Sequence, residues 1–112
     1  MEARSKVWIE KEGKPVFGDG RAVLLETIDR LGSINKAAKE MNMSYRHAWG
    51  EIRLMEERLG IKLVETKTGG RRGGGSKLTG EGKNFLGNYH KFRDGINELV
   101  NKRFEKIFLV SK

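Results

Sequence analysis

The first regularity in the chain is a run of apolar residues at helical spacing. Between residues 21 and 31 they follow one another at steps of four and three, which predicts an amphipathic helix. Asp19 or Gly20 can cap the start of this helix, and Gly32 is expected to end it. The segment is the first of several helices with one apolar face.

Two further helices are predicted, and only a tight turn separates them. Ser33 is placed to cap the first of them, which ends near Met41, and Ser44 is placed to cap the second, which runs to about Leu59. Asn42 lies in the turn, where its tolerance of the left-handed conformation is needed. The inward positions are Ile34, Ala37, Ala38, Met41, Ala48, Ile52, Met55 and Leu59. Small residues facing a short turn are typical of a helix-turn-helix.

Strand signals lie on both sides of these helices. Residues 6–11 alternate in polarity, Gly13-Lys14-Pro15 is a turn signal, and Val16-Phe17 can return as a short strand, so we expect an N-terminal hairpin. After the helices, residues 62–66 and 76–78 predict a second hairpin. Its tip, residues 69–75, is too rich in glycine for regular structure, because glycine loses the most backbone entropy on ordering.

A long helix is predicted to close the chain. Thr79 can cap it, and apolar residues recur in a heptad-like stripe as far as Phe108. Such a helix is longer than a small domain needs, so we expect it to pair with a second copy, the alternative being that it folds back on its own domain. The expected interface residues are Phe85, Tyr89, Phe92, Ile96, Leu99 and Val100.

These elements predict an α+β, mainly α fold: a winged helix-turn-helix with a short N-terminal hairpin and a long C-terminal dimerisation helix. We expect a winged domain over residues 1–78 and the dimerisation helix over residues 79–112.

Charge and composition narrow the function. The formal net charge of +8 suits a polyanion such as nucleic acid. No cysteine is present and the two histidines have no ligand spacing, so we expect no metal, no cofactor and no enzymatic activity. The sequence has neither a signal peptide nor an apolar membrane span, which favours a cytoplasmic protein.

Candidate DNA-binding residues concentrate on the third helix and the second hairpin. The outward face at the head of that helix combines aromatic rings with cations, as base recognition in the major groove requires, although core packing is the alternative for Trp49. The hairpin carries cations and no acid between Thr66 and Lys77, which suits phosphates or a minor groove. The full set is Ser33, Lys36, Ser44, Tyr45, Arg46, Trp49, Arg53, Lys67, Arg71, Arg72 and Lys77.

Two segments resemble a known family. Residues 33–49 resemble the N-terminal domain of ModE-type molybdate-dependent regulators, and residues 65–79, followed by Gly82, are similar to the wing and the start of the dimer helix in that family. The helix-turn-helix, with Met-Glu-Glu-Arg-Leu-Gly at residues 55–60, also resembles LysR-type regulators. The likeness covers roughly residues 16–108 and implies a dimer on a two-fold symmetric operator.

ModE-type regulators also carry molybdate-binding domains, for which 112 residues leave no room. Two alternatives follow: a stand-alone regulator, or a regulator that takes its effector signal from a partner protein of unknown identity. The sequence favours a homodimeric, sequence-specific regulator of transcription that binds double-stranded DNA. The alternative is a winged-helix interaction or architectural module that binds DNA non-specifically.

Overall fold

The structure is a computed structural model that describes residues 1–67 and 75–110. It confirms the α+β, mainly α class, with short hairpins on either side of a three-helix unit and two helices at the C-terminal end. In chain order the described elements are β1 (Trp8–Lys11), β2 (Lys14–Gly18), α1 (Asp19–Leu31), α2 (Ile34–Glu40), α3 (Tyr45–Leu59), β3 (Val64–Thr66), β4 (Ser76–Leu78), α4 (Gly80–Arg93) and α5 (Ile96–Phe108).

The N-terminal hairpin is present, but its turn lies earlier than predicted. Lys11 pairs with Lys14, so the loop consists of Glu12 and Gly13, with φ angles of 53° and 78°. Positive φ at both central positions is the geometry whose twist matches that of the flanking strands. Pro15 therefore lies within β2 rather than in the turn.

The helix-turn-helix forms as its capping residues predict. The Ser33 side chain accepts a hydrogen bond from the Lys36 backbone N–H at 3.1 Å, and Ser44 accepts one from the His47 N–H at 3.0 Å. Asn42 adopts a φ of 56° in the turn, which confirms its left-handed conformation. One boundary differs: α1 begins at Asp19 itself, and the residue before it occupies the N-cap without a side-chain bond.

One core joins these elements. Small buried residues, Ala37 on α2 and Ala48 on α3, let the two helices approach closely, and both are fully shielded from solvent. Phe17 of β2 packs edge-on against Phe85 and Tyr89 of α4, with ring centroids 4.8 and 5.0 Å away. The first part of the C-terminal region therefore belongs to the core of the winged unit.

The C-terminal region is helical from Gly80 to Phe108, as predicted, except where Asp94 and Gly95 divide it. Gly95 has a φ of 80°, which a continuous helix does not allow. No residue of α5 is buried. The helix therefore projects from the domain, and the molecule measures 68 × 30 × 22 Å. Its radius of gyration is 17.4 Å, whereas a compact chain of this length would have about 13 Å.

Candidate nucleic-acid interface

The outward face of α3 brings together four of the predicted site residues. At about 100° per residue, Tyr45, Trp49, Arg46 and Arg53 fall within a sector of about 100° around the helix axis. The buried residues Ala48, Ile52 and Met55 fall in a neighbouring sector, centred about 100° away around the helix axis. Helical periodicity therefore separates a core face from a face that is available to a ligand.

The two aromatic residues on this face form a pair. The Trp49 indole N–H donates to the Tyr45 hydroxyl, and their rings meet edge to face with centroids 6.4 Å apart. Trp49 is half-buried and packs against the core, whereas Tyr45 is 49% exposed. Trp49 thus has both of the roles weighed from the sequence, because its ring contacts the core while its edge holds Tyr45 at the surface.

Three of the candidate cations have no acidic partner among the described residues. Arg46, Arg53 and Lys36 are exposed, and no carboxylate in the described part of the chain lies within ion-pair distance of them. By contrast, Arg21 pairs with Glu51 at 2.7 Å. The exposed cations therefore keep their donors for an external acceptor.

Two arginines that the sequence analysis missed fasten α3 to the N-terminal hairpin. Arg21 joins Glu51 on α3 and also donates to the Val16 carbonyl at 2.7 Å. Arg58, in the last turn of α3, donates to the Pro15 carbonyl. Because the partners are up to 43 positions apart in the chain, local spacing contains no signal for these bonds.

A carboxylate of α3 fixes the start of the wing. Glu56 accepts hydrogen bonds from the Leu63 N–H at 2.8 Å and the Val64 N–H at 3.2 Å. Glu56 lies in the segment 55–60 that resembles LysR-type regulators, but no local spacing in the sequence predicts these bonds. The bonds hold β3 at a fixed position relative to α3.

The wing residues fall into three groups. Lys67 is exposed beside β3, and its backbone N–H bonds the Gly75 carbonyl at 2.8 Å. Lys77 on β4 lies 3.6 Å from the Glu65 carboxylate, so its charge is partly offset. Arg71 and Arg72 lie outside the described residues.

The residues expected at a dimer interface do not share one environment. Tyr89 is only 3% exposed and its hydroxyl bonds Asp19 and the Val7 carbonyl, so it belongs to the core of its own chain. Phe85 is half-buried against the same core. The burial of Tyr89 corrects the sequence-based expectation, because an apolar stripe of one period can serve a core or an interface. An interface role for Phe85 stays a prediction. Phe92 and Leu99 are 53% and 67% exposed.

Ile96 and Val100 are half-buried on α5, beside the exposed Leu99. The stripe continues to the end of the helix through Phe104, Ile107 and Phe108, the last two 66% and 70% exposed. An uncovered apolar surface of this kind is costly in water and is typical of an interaction site.

An ionic cluster closes the junction between α4 and the first turn of α1. The Arg93 guanidinium lies 3.0 Å from the Asp19 carboxylate. The hydrogen bonds from Arg93 and Tyr89 hold the pKa of Asp19 below its usual value. Burial and the neighbouring carboxylate raise the pKa of Tyr89 to about 12. The cluster therefore stays ionised as an Asp19–Arg93 pair with a neutral tyrosine at neutral pH.

Within residues 1–67 and 75–110, no group of three or more His, Cys, Asp or Glu side chains converges on a point where a metal ion would sit. None of the helices in the same part of the chain has the length and apolar character needed to cross a membrane.

Comparisons with known proteins agree with this geometry. Residues 21–83 match the family of bacterial regulatory helix-turn-helix proteins of the lysR type. The chain is 36% identical over 100 residues to the molybdenum-pterin-binding protein MopB of Rhodobacter capsulatus, covering 89% of the chain and 36% of MopB. It is 36% identical over 106 residues to the DNA-binding transcriptional dual regulator ModE of Escherichia coli strain K12, covering 94% of the chain and 38% of ModE. The chain thus spans about a third of the length of these relatives.

Solved structures show the same fold. Full-length BenM carrying the R156H mutation superposes with a TM-score of 0.59 at 26% identity, over 84% of this chain and 29% of BenM. The BenM DNA-binding domain in complex with catB site 1 DNA superposes with a TM-score of 0.57 at 24% identity, over 81% of this chain and 94% of that domain.

Proposed function

Because the chain belongs to the lysR family of bacterial regulatory helix-turn-helix proteins, we propose that it binds double-stranded DNA sequence-specifically and regulates transcription as a cytoplasmic homodimer. The target is an operator with two-fold symmetry. The observation that carries the proposal is the outward face of α3, which presents unpaired cations and a braced aromatic pair on one side of a helix.

The chemistry of that face suits base recognition. Arg46 lies in the first turn of α3, and an arginine at the head of a helix in the major groove can bond the O6 and N7 atoms of guanine together. Tyr45 offers a hydroxyl and an apolar ring edge, while Arg53, two turns further, is placed for a phosphate.

The bonds that fix α3 to its neighbours support sequence-specific rather than non-specific DNA binding. Arg58 ties the helix to the N-terminal hairpin directly, Glu51 does so through Arg21 of α1, and Glu56 ties the helix to β3. A recognition helix with fixed neighbours loses little conformational freedom on binding, so more of the contact energy contributes to discrimination between sequences.

Further cations lie on α2 and in the segment from β3 to β4. Lys36 on α2 and Lys67 beside β3 are exposed, and Arg71 and Arg72 lie in the loop that joins β3 to β4 along the chain. Cations on phosphates release counterions and raise affinity for all DNA, without reading sequence.

The uncovered apolar stripe on α5 supports the homodimer. A second copy that contacts Ile96, Leu99 and Val100 of α5, together with Phe92 at the end of α4, removes this surface from water. Two-fold pairing also places two α3 helices to read half-sites separated by about one DNA turn, roughly 34 Å, or a multiple of it.

Selection of bound fragments from random double-stranded DNA tests the proposal. We expect one enriched motif made of two inverted half-sites, bound by a species of twice the 12.7 kDa chain mass in sedimentation equilibrium. If no motif is enriched and the affinity depends on salt alone, the protein is instead an architectural module that binds DNA non-specifically. A monomer at high concentration would remove the homodimer from the proposal.

A further inference from the structure

The N-terminal segment, residues 1–7, lies against the C-terminal helices in an extended conformation. Its residues alternate between half-buried and exposed, which is the side-chain period of extended chain. Ala3, Ser5 and Val7 face the protein, whereas Glu2, Arg4 and Lys6 face solvent. The segment thus has one bound face, although it precedes the first strand.

Two asparagines of α5 hold this segment. The Asn97 side-chain oxygen accepts hydrogen bonds from the Ser5 N–H at 3.1 Å and from the Ser5 hydroxyl at 2.6 Å. The Asn101 oxygen, one turn further along α5, accepts from the Ala3 N–H at 2.9 Å. Residues four apart share one face of a helix, so the segment follows α5 for a full turn.

The same segment is fastened to the winged unit by Arg93. Its guanidinium donates to the Ser5 carbonyl at 2.8 Å and to the Ser5 hydroxyl at 2.9 Å. It also bonds Asp19 at the start of α1 at 3.0 Å. Ser5 therefore links α5 to the last turn of α4 and, through Arg93, to α1.

Little else described in the chain sets the direction of α5. Gly95 breaks the helical path between α4 and α5 with a φ of 80°, and no residue of α5 is buried in the core. A helix that leaves a glycine junction without core packing takes its direction from its remaining contacts. Those contacts include three hydrogen bonds to Ser5 and Ala3.

We propose that residues 1–7 act as a strap that, through Arg93, Asn97 and Asn101, fixes the direction of α5 and thereby determines the spacing of the operator half-sites. This inference rests on the proposed homodimer. At 1.5 Å per residue α5 is about 20 Å long, so a tilt of about 10° moves its far end by about 3.5 Å, close to the ~3.4 Å step between adjacent base pairs.

The strap leaves the dimer face open. At about 100° per residue, Leu99 lies about 160° around the helix from Asn101. Accordingly Leu99 is 67% exposed, whereas Val100, between the two, is half-buried. One flank of α5 is thus held by its own chain while the other can meet a second copy.

The test variant is Asn97→Ala with Asn101→Ala, which removes the three acceptor bonds and keeps good helix formers in α5. A chain lacking residues 2–5 is the second variant. The control, Lys102→Ala with Glu105→Ala, changes two exposed residues of α5 without altering the net charge.

The first measurement tests whether the strap fixes the position of α5 relative to the winged unit within one protomer. The chain has no cysteine, so Asn35→Cys and Lys106→Cys introduce the only two sites for spin labels. Labelled protein is diluted in excess unlabelled protein, and the distance distribution between the labels is recorded. We expect a narrow distribution in wild type and control and at least a doubling of its width in both strap variants. Unchanged width in both would overturn the strap.

The second measurement compares binding affinities for DNAs that carry two inverted copies of the selected half-site and differ in the length of the spacer between them. We expect the wild-type preference for its best spacer over neighbouring spacers to fall by about tenfold in the strap variants, as the loss of one or two net hydrogen bonds implies. Affinity for a single half-site should stay unchanged.

An unchanged spacer profile beside a widened distance distribution would show that the strap orients α5 without setting operator spacing, and would overturn the inference. Failure of the proposed function would give a different result, because the wild-type protein itself would then show no preferred spacer or would form no dimer. The distance measurement does not depend on either.

Discussion

At the scale of single residues, Gly82 of α4 lies tightly against the backbone just before β3. A Cβ atom at this position would lie 2.3 Å from the Leu63 carbonyl oxygen, which is backbone and cannot swing aside. The Gly82 N–H also bonds the Thr79 hydroxyl at 2.9 Å, which caps α4. Glycine is therefore required here by space rather than by φ.

Gly82→Ala should lower the free energy of unfolding by about 1–3 kcal/mol, the usual cost of overpacking a close contact. Gly87→Ala is the matched control, because a Cβ there meets nothing within 4 Å, and alanine should stabilise the helix by about 0.5–1 kcal/mol. Urea unfolding of both variants measures the difference. Equal effects would show that α4 moves away from Leu63 without cost.

Arg46 is the residue on which sequence discrimination should depend. Arg46→Ala should cost roughly 1–3 kcal/mol of binding free energy on the selected operator and much less on random DNA, because a contact to guanine is lost only where guanine is present. Lys83→Ala removes an equal charge from an exposed position of α4 and should affect both DNAs alike. Titration by fluorescence anisotropy compares them. Equal losses on both DNAs for Arg46→Ala would assign this arginine to the backbone.

At the scale of elements, the two hairpins have different tasks. The N-terminal hairpin braces α3, because the Pro15 and Val16 carbonyls accept from Arg58 and Arg21. The second hairpin is fixed at its base, where Thr79 donates its N–H to the Leu63 carbonyl at 2.9 Å. We propose that the cations between its two strands contact DNA.

Neutralising the wing loop should weaken binding to all DNA. Arg71→Ala with Arg72→Ala should reduce the slope of log affinity against log salt by about one to two counterions. Lys11→Ala with Lys14→Ala removes the same charge from the other hairpin, beside the C-terminal half of α3, and should leave the slope nearly unchanged. A wild-type slope in the Arg71, Arg72 variant would remove the loop from the interface.

At the scale of the whole molecule, the elongated shape follows from α5. The core is complete without this helix, since the last buried side chain in the described chain is Tyr89. An amphipathic helix that projects from a finished core leaves its apolar face in water, at a cost of about 25 cal/mol per Å². Assembly is the direct way to remove that cost.

Ile96→Asp with Leu99→Asp should therefore give monomers that bind the operator far more weakly. Lys91→Ala with Lys102→Ala changes the net charge by the same amount and keeps the apolar stripe, so it should remain dimeric. Sedimentation equilibrium at micromolar concentration distinguishes the two species. Dimers in the Asp variant would place the interface elsewhere.

The sequence by itself determined the elements that depend on neighbouring residues. Ser33, Ser44 and Thr79 cap the helices predicted for them, and Asn42 and Gly60 take left-handed conformations after α2 and α3. Each of these features needs only residues within one helical turn. The outward face of α3 could also be predicted from the sequence, because helical periodicity alone separates it from the buried face.

Tertiary structure alone decided which part of the C-terminal stripe belongs to the core and how α5 is held. Tyr89 contacts Asp19 and Val7, which lie 70 and 82 positions away, and Arg93 reaches Ser5 across 88. Periodicity reports that a face is apolar, not what covers it, so Tyr89 and Leu99 were indistinguishable along the chain. The fold separates them, because it brings β2 and the N-terminal segment to α4 and leaves α5 beyond the core.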